Sequence, residues 1–263
     1  MNPAGYAAER LASSPDGARC WAVLPAAGTG TRMGGDLPKQ YLEVSGATLL
    51  EHSLRALLRC RQLAGIVVPL HAKDTRAASL PLLQDRRVQT VTGAAERSGS
   101  VMAGLDALAD RAAPGDWVLV HDAARPCVQP QDIERLMQVV TSSGTGGLLA
   151  EPIVDTVKQA TNQALVVRTL DRATLWRAQT PQMFRLGELR HALGQARERA
   201  VLVTDEASAM ELAGFPVQLI EGSPGNLKVT VPADLPLAAW YLQAQAGERN
   251  PVDEAGWSGS PCA

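Results

Sequence analysis

Short apolar runs alternate along this chain with segments whose apolar residues recur every three or four positions. The runs at 21–27 ("WAVLPAA"), 65–70 ("GIVVPL"), 88–93 ("VQTVTG"), 116–124 ("DWVLVHDAA") and 146–154 ("GGLLAEPIV") read as strands. Between them, "TLLEHSLRALLRC" sets Leu50, Leu54, Leu57 and Leu58 on one helical face. "SVMAGLDALAD" reads as helix, and "QDIERLMQVVTSSG" carries the stripe Ile133, Leu136, Val140. Strands alternating with helices predict an α/β fold: one doubly wound, mostly parallel sheet with helices on both faces. Ligands of such sheets lie beyond the carboxyl ends of the strands.

The alternation breaks after residue 154. Residues 155–181 read as two extended pieces, "TVKQA" and "ALVVRTL", around the turn "TNQ". A hairpin of this size cannot bury both faces alone. An arm at about 155–178 is therefore expected to rest on its own domain or on a partner subunit. Helical periodicity returns in "RLGELRHALGQARER" and "DEASAMELAG". Strands "VQLIEG" and "LKVTV" and a final helix in "PADLPLAAWYLQAQ" are expected to follow.

Length and composition narrow the picture. The 263 residues suit one α/β unit, and 46% hydrophobic with 20% charged residues is ordinary for a globular protein. A net charge of −2 gives no general attraction to nucleic acid, so any anion must be met by local cations. The N-terminus lacks the pattern of a secretory signal, and no apolar run approaches a membrane span. The chain reads as cytoplasmic, with no nucleic-acid or membrane partner. Residues 1–19 and 246–263 are Gly-, Pro- and Ser-rich and are expected to be disordered, leaving a domain at 20–245. Cys20, Cys60, Cys127 and Cys262 have no metal-ligand spacing.

Candidate chemistry begins where the first strand ends, in "LPAAGTGTRMGGDLPKQYL". Gly28, Gly30, Gly34 and Gly35 allow backbone N–H groups to approach an anion. The dinucleotide fingerprint fails because Met33 stands where its third glycine belongs, and the P-loop motif has no match. Glycines alone make a tight turn. Arg32 and Lys39 add a planar fork and a mobile point charge, both suited to phosphate. In "WVLVHDAARPCV", Asp122 stands at a strand's carboxyl end, where it is either a Mg²⁺ ligand or a turn residue. His121 reads as structural. Ser100, in "ERSGSVMAGL", either caps a helix or bonds a ligand.

These pieces, with "PIVDTVK", "TLDRATLWRAQTPQMF", "TDEASAMELAG" and "NLKVTVPADL", closely resemble in order and spacing the cytidylyltransferases of the non-mevalonate isoprenoid pathway, over residues about 21 to 241. The resemblance implies transfer of CMP from CTP to methylerythritol 4-phosphate, with Mg²⁺. It implies that Arg32 and Lys39 neutralise the triphosphate and the transition state, and that Asp122 binds the metal. Ala26, Ala27, Gly28, Gly30, Gly93, Ala94, Ala95, Ser100 and Ala123 would hold the nucleotide. Arg125, Thr156, Arg172, Thr180 and Lys228 would hold the polyol phosphate. It further implies a homodimer in which the arm brings Thr156 and Arg172 to the neighbouring site. Ala94 and Ala95 depart from the family pattern, which commonly has Gly and a polar or acidic residue there. A cytidylyltransferase for another polyol phosphate, such as ribitol 5-phosphate, and a non-catalytic nucleotide-binding module remain alternatives.

Overall fold

The computed structural model describes residues 17–28 and 37–247. In chain order its strands are β1 (Cys20–Val23), β2 (Glu43–Val44), β3 (Ala47–Thr48), β4 (Leu63–Leu70), β5 (Val88–Thr92), β6 (Trp117–Val120), β7 (Gly147–Pro152), β8 (Val157–Ala160), β9 (Val166–Leu170), β10 (Trp176–Arg185) and β11 (Gln218–Glu221). The helices are α1 (Leu49–Arg59), α2 (Arg97–Asp106), α3 (Pro130–Ser143), α4 (Leu186–Glu198), α5 (Glu206–Leu212) and α6 (Asp234–Gln245).

Among the described residues, seven strands form one sheet in the order β11-β7-β10-β6-β1-β4-β5. Every pairing is parallel except those of β10, which runs antiparallel to both β6 and β7. Alternation sorts the strand residues between two cores. Ala22, Leu24, Trp117 and Leu119 face Leu50, Leu54, Leu57, Ile133 and Leu136 of α1 and α3. Trp21, Val23, Val118 and Val120 face Val101, Leu105, Leu189 and Leu193 of α2 and α4. Burying one such leucine or valine is worth about 1.5–3 kcal/mol, so the period-2 pattern fixes the register of the central strands.

Local signals set the helix ends. α1 starts at a reciprocal capping box, in which Thr48 Oγ1 accepts from Glu51 N at 3.1 Å while Glu51 accepts from Thr48 N at 3.0 Å. α3 has Pro130 as its first residue and stops at Gly144, whose φ of 70° is left-handed.

Three expectations need correction. The segment "LKVTV" is not a strand. Its backbone is committed elsewhere: Val229 N donates to Ala124 O at 2.8 Å, and Thr230 N donates to Asp234 Oδ2 at 2.7 Å. The stretch after the arm, read only as a break in the pattern, contains β10 in the centre of the sheet. Residues 17–19, grouped with a disordered extension, lie at the amino ends of the interior strands β1 and β6. Arg19 N donates to Asp116 Oδ1 at 3.0 Å, and Arg19 O accepts from Trp117 N at 2.9 Å. Residues 1–16 and 248–263 lie outside the described residues.

The arm does form a hairpin. β8 and β9 pair antiparallel as a sheet of their own. Leu165, Val166 and Val167 are exposed on it, and Val154 beside it is 75% exposed. No helix among the described residues is long and apolar enough to cross a membrane.

Candidate active site

β1, β4, β5 and β6 are parallel, so their carboxyl ends line one edge of the sheet. The candidate residues gather along it. Ala26 continues β1 as an isolated bridge to Leu70, and its N–H donates to Pro69 O at 2.8 Å. Gly93 follows β5 and donates to Leu70 O at 2.7 Å. The backbones at Ala27 and Gly93 approach so closely that a Cβ on Gly93 would lie 2.6 Å from the Ala27 Cβ, and this contact requires glycine. Ser100, buried near the start of α2, accepts from Ala94 N at 3.0 Å, with Ala94 O and Glu96 O also in reach of its hydroxyl. It therefore fixes the shape of the 93–96 loop. Ala95 is exposed at its tip. Gly28 is exposed at the end of the described part of the first loop, and Lys39 opens a short 3-10 turn, Lys39–Tyr41, on its far side. Gln40 ties the two sides together, donating to Ala26 O at 2.7 Å. Gly30 and Arg32 lie outside the described residues.

Asp122 follows β6 and is buried. Its Oδ1 lies 2.7 Å from Arg97 Nε and its Oδ2 lies 2.7 Å from Lys228 Nζ. Burial alone would raise its pKa, but the adjacent Arg97 and Lys228 outweigh that and hold the carboxyl well below the usual carboxylate range. Arg97 is itself gripped by Glu206: Nη1 donates to Oε1 at 2.6 Å and Nη2 to Oε2 at 3.0 Å. Ala123 is buried beside this cluster, and its carbonyl accepts from Ser53 Oγ of α1 at 3.1 Å.

β10 delivers the next layer. Between the pairs Ala178↔Ala150 and Gln182↔Leu148 it spends two more residues than β7 does. The surplus swings Gln179 and Thr180 toward Asp122. Thr180 Oγ1 accepts from Asp122 N at 3.0 Å and lies 3.0 Å from His121 Nδ1. His121 Nε2 lies 3.2 Å from Arg125 O, which can only accept, so Nε2 carries the proton. Nδ1 then accepts from the Thr180 hydroxyl, and the chain Asp122 N–H, Thr180 O–H, His121 is satisfied throughout. Burial pushes the His121 pKa down to about 4, which keeps it neutral in this chain.

Arg125 donates through Nη1 to Asn226 O at 2.6 Å and through Nη2 to Ala178 O at 3.2 Å. Asn226 Nδ2 in turn donates to Gln179 Oε1 at 3.1 Å and to Thr180 O at 2.9 Å. Arg125 Nε and Asn226 Oδ1 are buried polar atoms with no partner among the described residues, so hydrogen bonding here is incomplete. Thr156 and Arg172 do not join this cluster. Both are exposed on the arm, and Arg172 Nη1 donates to Val154 O.

Sequence reasoning thus named Asp122, Arg125, Thr180 and Lys228, which the fold brings together. It missed Arg97, Glu206, Asn226 and Gln179, although each lies in a segment that carries the resemblance. The donor set suits a hard cation sparingly. No group of three or more His, Cys, Asp or Glu side chains capable of holding a metal occurs among the described residues. One buried carboxylate at the carboxyl end of β6 fits the way Mg²⁺ is held by a single carboxylate together with substrate phosphates. Cys20, Cys60 and Cys127 are buried free thiols whose pKa values burial raises to about 11, 11 and 12, and none adjoins the site as a nucleophile.

Residues 20–244 match the family IspD, 2-C-methyl-D-erythritol 4-phosphate cytidylyltransferase. The protein of that name from Pseudomonas syringae pv. tomato is 50% identical over 227 residues, covering 86% of this chain and 95% of its own length. Its counterpart from Photobacterium profundum is 46% identical over 226 residues, covering 84% and 95%. The crystal structure of the Francisella tularensis enzyme, 36% identical, superposes with a TM-score of 0.73 over 85% of this chain and 99% of that one. With both the family match and these relatives spanning most of its length, this chain belongs to the IspD family of 2-C-methyl-D-erythritol 4-phosphate cytidylyltransferases.

Proposed function

We propose that this chain transfers the cytidylyl group of CTP to 2-C-methyl-D-erythritol 4-phosphate, giving CDP-methylerythritol and pyrophosphate. The observation that carries this reading is the buried carboxylate of Asp122, held between two cations on the sheet edge where the backbones at Ala27 and Gly93 close on each other.

A phosphate oxygen of the polyol substrate attacks the α-phosphorus of CTP. The bond from that oxygen to phosphorus forms as the bond to the β-phosphate breaks, and pyrophosphate leaves with the electron pair. The nucleophile is already anionic at neutral pH, so no general base is needed. His121 is unsuited to that role, being buried, neutral and engaged at both nitrogens. The difficulty is the meeting of two polyanions, and cations fixed in advance lower that barrier. Lys39 and Arg32 neutralise the triphosphate and the transition state. Lys228, released from Asp122, and Arg125 receive the polyol phosphate. Ser100 and the loop of Gly93, Ala94 and Ala95 present backbone groups to cytosine, with Ala26, Ala27, Gly28, Gly30 and Ala123 around the nucleotide. Asp122 would hold a divalent metal, which would supply further neutralisation of the phosphates when bound.

Thr156 and Arg172 stand on the exposed apolar arm, and in this reading they serve the partner's site in a homodimer. The unit that carries the activity is residues 20–245, and it works in the cytoplasm. The test is pyrophosphate release from CTP and Mg²⁺ with a panel of polyol phosphates. Methylerythritol 4-phosphate should be turned over best. Preference for ribitol 5-phosphate would move the chain to a different acceptor, and no release with any acceptor would refute transferase activity.

A further inference from the structure

Asp122 sits in a four-charge cluster whose parts are unequal. Arg97 and Glu206 are the first residues of α2 and α5. An arginine facing one carboxylate alone favours two parallel bonds, one to each oxygen. Here Glu206, with its side chain only 1% exposed, takes both terminal nitrogens of Arg97 and leaves only Nε for Asp122 Oδ1. Oδ2 is held by Lys228, whose side chain is 39% exposed against 28% for Arg97 and which lies on an irregular segment. Arg97 is thus clamped from two sides, and Lys228 is held from one.

We propose that Glu206 is a positioning residue for Asp122: by gripping Arg97 it confines the guanidinium to Oδ1 and leaves Oδ2 able to exchange Lys228 for a divalent cation. This rests on the reading of Asp122 as the metal-binding carboxylate. The charges support it. The two cations and two carboxylates joined by these ion pairs sum to zero, and the neighbouring Arg125, which also acts on Asp122 and Arg97, adds one positive charge. When Lys228 and Arg125 are both taken up by a substrate phosphate, a net charge of about −1 remains beside Oδ2 and favours an incoming cation. Without the Glu206 charge that remainder is about zero, and Arg97 is free to span both oxygens of Asp122.

The experiment measures binding rather than turnover. The affinity of cytidine 5′-(α,β-methylene)triphosphate is determined by calorimetry with chelator and with saturating Mg²⁺, and the ratio is the metal's contribution. Glu206→Gln should lower this ratio about tenfold, the scale of losing an outer partner of a metal ligand. Adding Arg97→Ala to Glu206→Gln should restore it to within about threefold of the parent, because the uncompensated cation is gone. The double variant leaves no buried unpaired charge, so it remains informative where the single variant does not fold. A glutamate needed only for packing would lower the unfolding midpoint and leave the ratio unchanged. Asp122→Asn separates the two readings. A ratio lost in Asp122→Asn but unchanged in Glu206→Gln, or a double variant whose ratio falls as far as that of Asp122→Asn, overturns the role of Glu206 alone. An unchanged ratio in Asp122→Asn overturns the metal ligand itself.

Discussion

Replacing Thr180 with valine keeps the shape of the side chain and removes its oxygen. Two buried groups then lose a partner at once: the Asp122 N–H and His121 Nδ1, each 3.0 Å from Thr180 Oγ1. Thr180, His121 and Asp122 are all buried, so water does not replace the lost oxygen. A buried polar group left unpaired costs about 1–3 kcal/mol, so the pair predicts a loss of about 2–5 kcal/mol. That is a large share of the about 5–15 kcal/mol that holds a typical domain together. The assay is urea unfolding followed by tryptophan fluorescence and by far-UV circular dichroism, with coincident transitions required before a free energy is assigned. The midpoint should fall at unchanged slope, and kcat should fall with it because the Asp122 backbone has lost its anchor. Thr180→Ser retains the hydroxyl and should recover most of the loss. A valine variant within about 0.5 kcal/mol of the parent, or a serine variant as unstable as valine, would refute the hydrogen-bond chain, since surface-like substitutions lie in that range.

Two other outcomes follow from the site. His121 has its pKa pushed below the ordinary 6.5 to about 4, so its contribution to stability is complete above about pH 6.5 and is lost as pH falls through about 4. The loss across that window should be about 3 kcal/mol, read as the difference in unfolding free energy between the parent and His121→Gln at each pH, and a parallel pair of curves would contradict it. If the arm serves the partner's site, mixing the inactive variants Lys39→Ala and Arg172→Ala should restore activity in one site of each mixed dimer; exchange confirmed by mass without recovery would show that each site is built from one chain.

Much of the fold was readable because its strongest signals are periodic. The stripe of α1 and the alternation in β1 and β6 each reflect burial against one of two cores. β10 escaped because burial across Gln179–Phe184 is continuous, and its polar members Gln179, Thr180 and Gln182 spoil any apolar pattern while bonding inward. Lys228 was expected at the site although its segment was expected to be a strand. Its motif carried the chemistry, whereas the backbone obeyed bonds to Ala124 and Asp234 that no local pattern records. Arg97 and Glu206 went unnoticed for a different reason. A glutamate at the first residue of a helix looks like ordinary complementarity to the helix dipole. An arginine there opposes that dipole, and this misfit in "ERSGS" was the available sign that Arg97 answers to something beyond its own helix.

The central place of β10 also bears on how the chain is made. β7 pairs only with β10 and β11, both of which follow it in the chain. During synthesis from the N-terminus, β1, β4, β5 and β6 can assemble on one another as soon as they emerge. β7, with its buried run Gly147–Ala150, must wait for about thirty more residues, including the whole arm, before any neighbour exists. Through that interval β6 presents a raw edge and β7 is a bare apolar strand, the kind of surface that recruits other chains. The strand that later anchors Asp122 through Thr180 is therefore also the one that covers β6 and gives β7 its first neighbour, whereas β11, Glu206, Asn226 and Lys228 follow it in the chain, so the sheet and the site are finished only after that seam has closed.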